Sequence, residues 1–144
     1  MALVHDLTET RTGDVHYLSR QYTTRDEALA AADIFAQTQL QDFEQIWHEY
    51  ERRDSLEAKI VKDADTIDVE LELAEQQANG VGLKKLWQAR RRRQIHSHVL
   101  FTKTAQKLWD QIEKSNPHDW HYFGRNRHTT GDWKKSEKTD AKKG

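Results

Sequence analysis

Apolar residues recur along this chain at helical spacing and do not alternate with polar ones for more than a few positions. The pattern therefore predicts helices and no strands. Residues 1–10 read as the last turns of a helix, with Met1, Ala2, Leu3, Val4 and Leu7 apolar and no capping residue ahead of them. Gly13, within Thr10 to Asp14, supplies a left-handed stop. Residues 15–23 read as a loop. Thr24 is the expected N-cap of the next helix, with Glu27 completing a capping box. That helix carries Ala28, Leu29, Ala31, Ala32, Phe35 and Ala36. Phe43, Ile46, Trp47 and Tyr50, spaced i, i+3, i+4, i+7, place a helix over about 42–53. Asp54 or Ser55 caps a long helix over about 55–78, ended by Asn79-Gly80. Another starts near Leu83 and carries Leu86 and Trp87. The last, over about 102–114, carries Ala105, Leu108, Trp109 and Ile112 and stops at Asn116-Pro117. Residues 117–128 read as a loop packed by Trp120, Tyr122 and Phe123. Residues 129–144, poor in apolar side chains, read as a flexible basic tail. The expectation is one all-α helical bundle over 1–128, followed by that tail.

Composition narrows the class. A chain of 144 residues suits one domain. With 35% hydrophobic and 33% charged residues the apolar supply is thin, which favours an economical helical fold. There is no apolar run of the about 18 residues that a membrane span needs. Met1 to Val4 is followed at once by His5-Asp6, so no secretory leader is expected. The absence of Cys excludes disulfides, thiolate metal sites, iron–sulfur clusters and Cys nucleophiles. A cytoplasmic protein is the expectation. The net charge of −1 conceals an asymmetry. Residues 42–79 hold 12 acidic side chains against 4 basic ones, and residues 80–109 hold 8 basic and none acidic. Two helices facing each other with opposite signs explain this. The run Arg90 to Arg93 lacks the interleaved aromatics and glycines of a nucleic-acid groove, so nucleic acid is not the expected partner.

Two stretches carry candidate chemistry. Asp65 has Val61 and Val69 four residues to either side and Ala58 a turn further back, which predicts a carboxylate on an inward stripe. Such a group is costly unless a cation or donors meet it, and a Lys62 ion pair or a capping contact would suffice. Asp63 and Asp68 fall on other faces and are expected to be solvated. The second stretch is His5-Asp6, at an apolar helix end, with Glu9 on the same side and Asp14 just past the Gly13 turn. An imidazole and neighbouring carboxylates make a nitrogen–oxygen site suited to a divalent metal. His16, Tyr17 and Arg20 follow the turn and could line its mouth. His96 and His98 read as surface residues, and His118, His121 and His128 with Asp119 as loop residues. Trp47, Trp87 and Trp109 read as core. No Ser nucleophile motif, phosphate-binding Gly loop or dinucleotide fingerprint is present.

The stretch Met1-Ala-Leu-Val-His5-Asp6-Leu-Thr-Glu9-Thr-Arg-Thr-Gly13-Asp14 resembles the signature of the HD-domain metal-dependent phosphohydrolases. It looks closest to their 5′-deoxynucleotidase branch. Trp47-His-Glu-Tyr50, followed by Ser55-Leu-Glu-Ala-Lys-Ile-Val-Lys62-Asp-Ala-Asp65, is similar to that family's later helix. The resemblance spans about residues 1–120. It implies that His5, Asp6 and Asp65 are metal ligands, that Glu9 orients or deprotonates the attacking water, and that Asp14 is a further active-site carboxylate. It also implies an HD-type bundle lacking its first helices. The family takes its first metal-ligand His from helices that would precede this Met1, so three ligands stand where four are expected.

The expected activity is divalent-metal-dependent hydrolysis of a phosphomonoester, most simply the 5′-phosphate of a deoxynucleoside monophosphate, with Mn, Co, Zn or Mg as the ion. The chain then reads as a piece of a competent enzyme, as a shortened inactive relative, or as one whose site a second copy completes. The first is favoured, with activity impaired by the missing ligand. A homodimer is expected. The alternative from another class is a non-catalytic helical module that self-associates through residues 1–10.

Overall fold

The computed structural model describes residues 1–36 and 38–119, with the backbone alone over 88–93. The aromatic residues at 120, 122, 123 and 133, His121, His128 and the tail 129–144 lie outside the described residues, as do the side chains of the Arg90–Arg93 run. All regular structure among the described residues is helical, as the hydrophobic spacing predicts. The helices are α1 (Glu9–Thr12), α2 (Glu27–Ala36), α3 (Asp42–Arg52), α4 (Leu56–Ala78), α5 (Leu83–Gln94) and α6 (Lys103–Ile112). A 3₁₀ turn covers Ser19–Gln21, and α5 widens into a π-helical turn over Ile95–Val99. No described helix is long and apolar enough to cross a membrane.

The amino-terminal segment departs from the expected helix over 1–10. Residues 2–8 form successive turns in which Val4 N–H donates to Met1, Leu7 to Val4 and Glu9 to Asp6, three residues back each time. Only α1 closes as an α-turn, and Gly13 ends it at φ 79°. Val4 and Thr8 are buried there, while Leu3 is exposed. The tighter winding suits a segment that has one packed side rather than a full helical face.

The start of α2 also differs. Asp26, not Thr24, caps it: Asp26 Oδ1 accepts from the Leu29 N–H at 2.9 Å. Glu27 then points to Arg25 instead of closing a box. Ser55 caps α4 through the Ala58 N–H, and Thr102 caps α6 through the Ala105 N–H.

Helix α4 is the spine, packing against α3, α5 and α6. Ile67 and Ala74 join Ile95, Leu100, Ala105, Trp109 and Ile112 in one core cluster. Ala31, Phe35 and Trp47 form a second cluster where α2 meets α3, with Leu7, Ile34 and Phe43 against it. Trp47 and Trp109 are thus core, as expected, whereas Trp87 is half-buried and packs on Tyr17. Lys84 of α5 meets Glu70 of α4 at 2.6 Å with both buried, an instance of the charge complementarity between these two segments.

Asp63 is the main correction on α4. It is not solvated: only 3% of it is exposed. Its carboxylate accepts from Phe101 N–H at 2.7 Å, Thr102 N–H at 2.9 Å and the Thr102 hydroxyl at 2.7 Å. It therefore supplies acceptors to the amino end of α6, where backbone N–H groups otherwise lack partners. The buried stripe of α4 runs through Asp63, Ile67, Glu70 and Ala74. Two residues are about 200° on a helix, so Asp65 faces the other way.

Candidate metal centre

Asp65 consequently does not sit in hydrocarbon. Its side chain is 34% exposed and opens into a cleft of about 770 Å³ between the amino-terminal turns, α3 and α4. His5, Asp6, Glu9 and Asp14, the other site residues expected from the sequence, line the same cleft. Tyr17 and Arg20 also line it, whereas His16 closes the loop locally, its Nδ1 accepting from the Leu18 N–H at 3.3 Å.

The decisive grouping is His5, Asp6 and Asp65, each of which offers one ligand atom within 4.8 Å of the others. His5 Nδ1 lies 2.7 Å from the Ala2 carbonyl oxygen, which accepts its N–H and fixes the tautomer. That leaves the Nε2 lone pair toward Asp6 Oδ2, 3.1 Å away. A lone pair against a carboxylate oxygen is repulsive unless a cation or proton stands between them. Two ligands bound at about 2.1 Å to one ion, at right angles, are separated by about 3.0 Å. The donor set thus fits a divalent ion. Asp65 meets the ammonium of Lys62 at 2.6 Å through Oδ2. Both the ion pair and the ligand position that the sequence offered for Asp65 are compatible with this geometry, because the second carboxylate oxygen is not used in that pair.

Glu9 is held by cations. Its Oε1 lies 3.3 Å from Arg25 Nη1 and 3.7 Å from Arg20 Nη2. Arg25, with 15% of its side chain exposed, also donates to the Gly13 carbonyl at 3.0 Å and meets Glu27 at 2.6 Å. One guanidinium therefore fastens Glu9, the turn before Asp14 and the start of α2. Its fork of donors is what allows three partners at once.

The end of α3 builds the opposite wall. Tyr50 packs edge-on against the His5 ring at 5.2 Å between centroids. Burial pushes its phenol well above the ordinary value of 10.0; Arg53 opposes the shift, and Asp65, Asp6 and Glu51 add to it. The phenol therefore stays protonated. Arg53 terminates α3 at φ 57°, in the left-handed region where Gly is the usual occupant. A side chain there costs about 1–2 kcal/mol. Its guanidinium lies 3.5 Å from the centre of the Tyr50 ring, and such a stack offsets about 0.5–2 kcal/mol. Sequence reasoning missed Arg25, Tyr50 and Arg53 as cleft residues. The one available signal was a non-Gly residue between the end of α3 and the Ser55 cap.

The family model for the HD domain matches residues 1–115. The chain belongs to the HD-domain family. HD domains are in general metal-dependent phosphohydrolases that bind divalent ions, and the all-α fold agrees with that membership. No curated protein and no solved structure matches the chain at a significant level.

Proposed function

We propose that this HD domain hydrolyses phosphomonoesters with a divalent ion held by His5, Asp6 and Asp65, and that its substrate is the 5′-phosphate of a deoxynucleoside monophosphate. The observation that carries the reading is the approach of those three ligand atoms to within 4.8 Å of one another. The deoxynucleotide rests on the resemblance of the His5 to Asp14 and Lys62 to Asp65 stretches to the 5′-deoxynucleotidase branch. An ion in that position polarises the phosphoryl group and lowers the pKa of water.

The chain's own residues do the rest. Glu9 lines the same cleft and accepts the proton of the attacking water. The water oxygen bonds to phosphorus, the bond from phosphorus to the 5′ oxygen breaks, and the nucleoside leaves with a proton. Arg25 fixes one Glu9 oxygen, leaving the other for the water. Asp14 is a further carboxylate at the cleft whose position depends on the Gly13 turn.

The test is a phosphate-release assay on deoxy- and ribonucleoside monophosphates with Mn, Co, Zn and Mg added singly. Metal-dependent release, faster from deoxynucleotides and lost in Asp65→Asn, is expected. Release from neither class with any of the four ions would overturn the reading.

A further inference from the structure

Among the described residues the cleft holds four cationic side chains, and three are committed. Lys62 is spent on Asp65 at 2.6 Å. Arg25 is divided among Glu9, Glu27 and the Gly13 carbonyl. Arg20 donates through Nε to the Val15 carbonyl at 2.9 Å and reaches Glu9. Arg53 differs. Its Nη1 is buried and has no hydrogen-bond partner among the described residues. Its one ion pair among the described residues is long, with Nη2 3.5 Å from Glu51 Oε1. A guanidinium so placed leaves donors unmet in a wall of the cleft, which is costly unless an acceptor arrives.

Two further observations point the same way. The backbone at Arg53 is in the left-handed region, where a non-Gly residue persists only if its surroundings demand it. The stack on Tyr50 fixes the plane of the guanidinium, and Tyr50 in turn packs against His5. The fork is therefore indexed to the ligand cluster. A planar fork matches two oxygens of a phosphoryl group.

We propose that Arg53, braced on Tyr50, is the oxyanion-gripping residue of the cleft and takes the non-bridging oxygens of a phosphoryl group. This rests on the phosphomonoester reading of the same site, and it assigns the substrate's anion a partner that is not a metal ligand.

The experiment measures binding of inorganic phosphate, deoxyadenosine 5′-monophosphate and deoxyadenosine by calorimetry. It uses the full chain, both metal-stripped and Mn-loaded, and its Arg53→Gln, Arg53→Lys and Arg53→Gly variants. The wild type is expected to bind both phosphates. Arg53→Gln should weaken both at least tenfold by the same factor, leave deoxyadenosine unaffected and leave Mn affinity within twofold. Arg53→Lys should recover part of the loss, keeping charge without the fork. Arg53→Gly, at home in the left-handed region, keeps the question answerable if Gln disturbs folding.

No phosphate binding by the wild type, or unchanged binding by Arg53→Gln and Arg53→Gly, overturns the inference. The two readings fail separately. Arg53-dependent phosphate binding without turnover would leave this assignment standing and remove the hydrolase. Turnover with a KM insensitive to Arg53→Gln would do the reverse.

Discussion

Lys62 Nζ lies 2.6 Å from Asp65 Oδ2, one helical turn apart on α4, so a candidate metal ligand already has a cation beside it. Lys62 and an arriving ion compete for the same carboxylate, and the two positive charges repel. Lys62→Met should therefore tighten Mn binding by about tenfold, as titrated by the loss of the free-ion paramagnetic resonance signal. Because the pair is one-third exposed, 0.5 M salt should shrink the difference. Equal affinities at low salt would show that Lys62 does not oppose the ion.

Glu9 and Asp65 should separate binding from turnover. Asp65→Asn is expected to lower metal affinity. Glu9→Gln should leave metal affinity near that of the wild type and reduce turnover by about 10²–10⁴-fold. Loss of metal binding in Glu9→Gln would move Glu9 from proton acceptor to ligand.

Asp63 should matter to stability alone. Its carboxylate receives three hydrogen bonds from Phe101 and Thr102 while 3% exposed. Asp63→Ala is expected to cost about 2–4 kcal/mol in urea unfolding, because two backbone donors lose their charged acceptor. Metal affinity of the folded variant should stay unchanged. A cost below about 0.5 kcal/mol would mean that water replaces the carboxylate at the amino end of α6.

Arg53 gives a ranking. At φ 57° a β-branched residue is strained and Gly is not. Arg53→Val should unfold at lower temperature than Arg53→Gly, with a gap of about 1–2 kcal/mol. A reversed order would show that backbone strain does not decide stability at this position.

Tyr50 sets an alkaline limit. Its folded pKa is raised above the unfolded value of 10.0, chiefly by burial. Stability is thus fully present below about pH 10 and lost as pH rises, since the unfolded chain releases the proton first. Tyr50→Phe should flatten the decline of unfolding free energy between pH 10 and pH 11. An identical slope in both proteins would place the loss elsewhere.

The sequence made α3 and α6 legible through a strong apolar period, and the bounds of α4 and α6 through their end signals. Ser55, Gly80 and Pro117 mark boundaries that the structure keeps within a few residues. It also singled out His5, Asp6 and Asp65, which the fold brings together, through motif resemblance rather than periodicity. Periodicity alone misjudged α4. Val61 and Val69 suggested an inward face at Asp65, yet beyond Ala58 the buried residues are Asp63, Ile67, Glu70, Leu73 and Ala74, while Val61 and Asp65 are half-buried and Val69 is exposed. An aspartate that caps a distant helix has no local signature, because its partners lie 38 and 39 residues away. The same distance problem hid Arg25. Its neighbours in sequence say nothing of Glu9, which comes within reach only when the loop over 15–23 folds back.

Helix α4 is one uninterrupted rod of 23 residues, about 34 Å long. It carries a structural aspartate on one flank and a cleft aspartate on the other, two positions apart. Deleting or inserting a single residue between Ser55 and Asp63 would rotate both by about 100° and misplace them together. Change in chain length should therefore be rare across that interval and common in the exposed connection over 15–23. Point substitutions can drift on this rod, but its reading frame in space cannot.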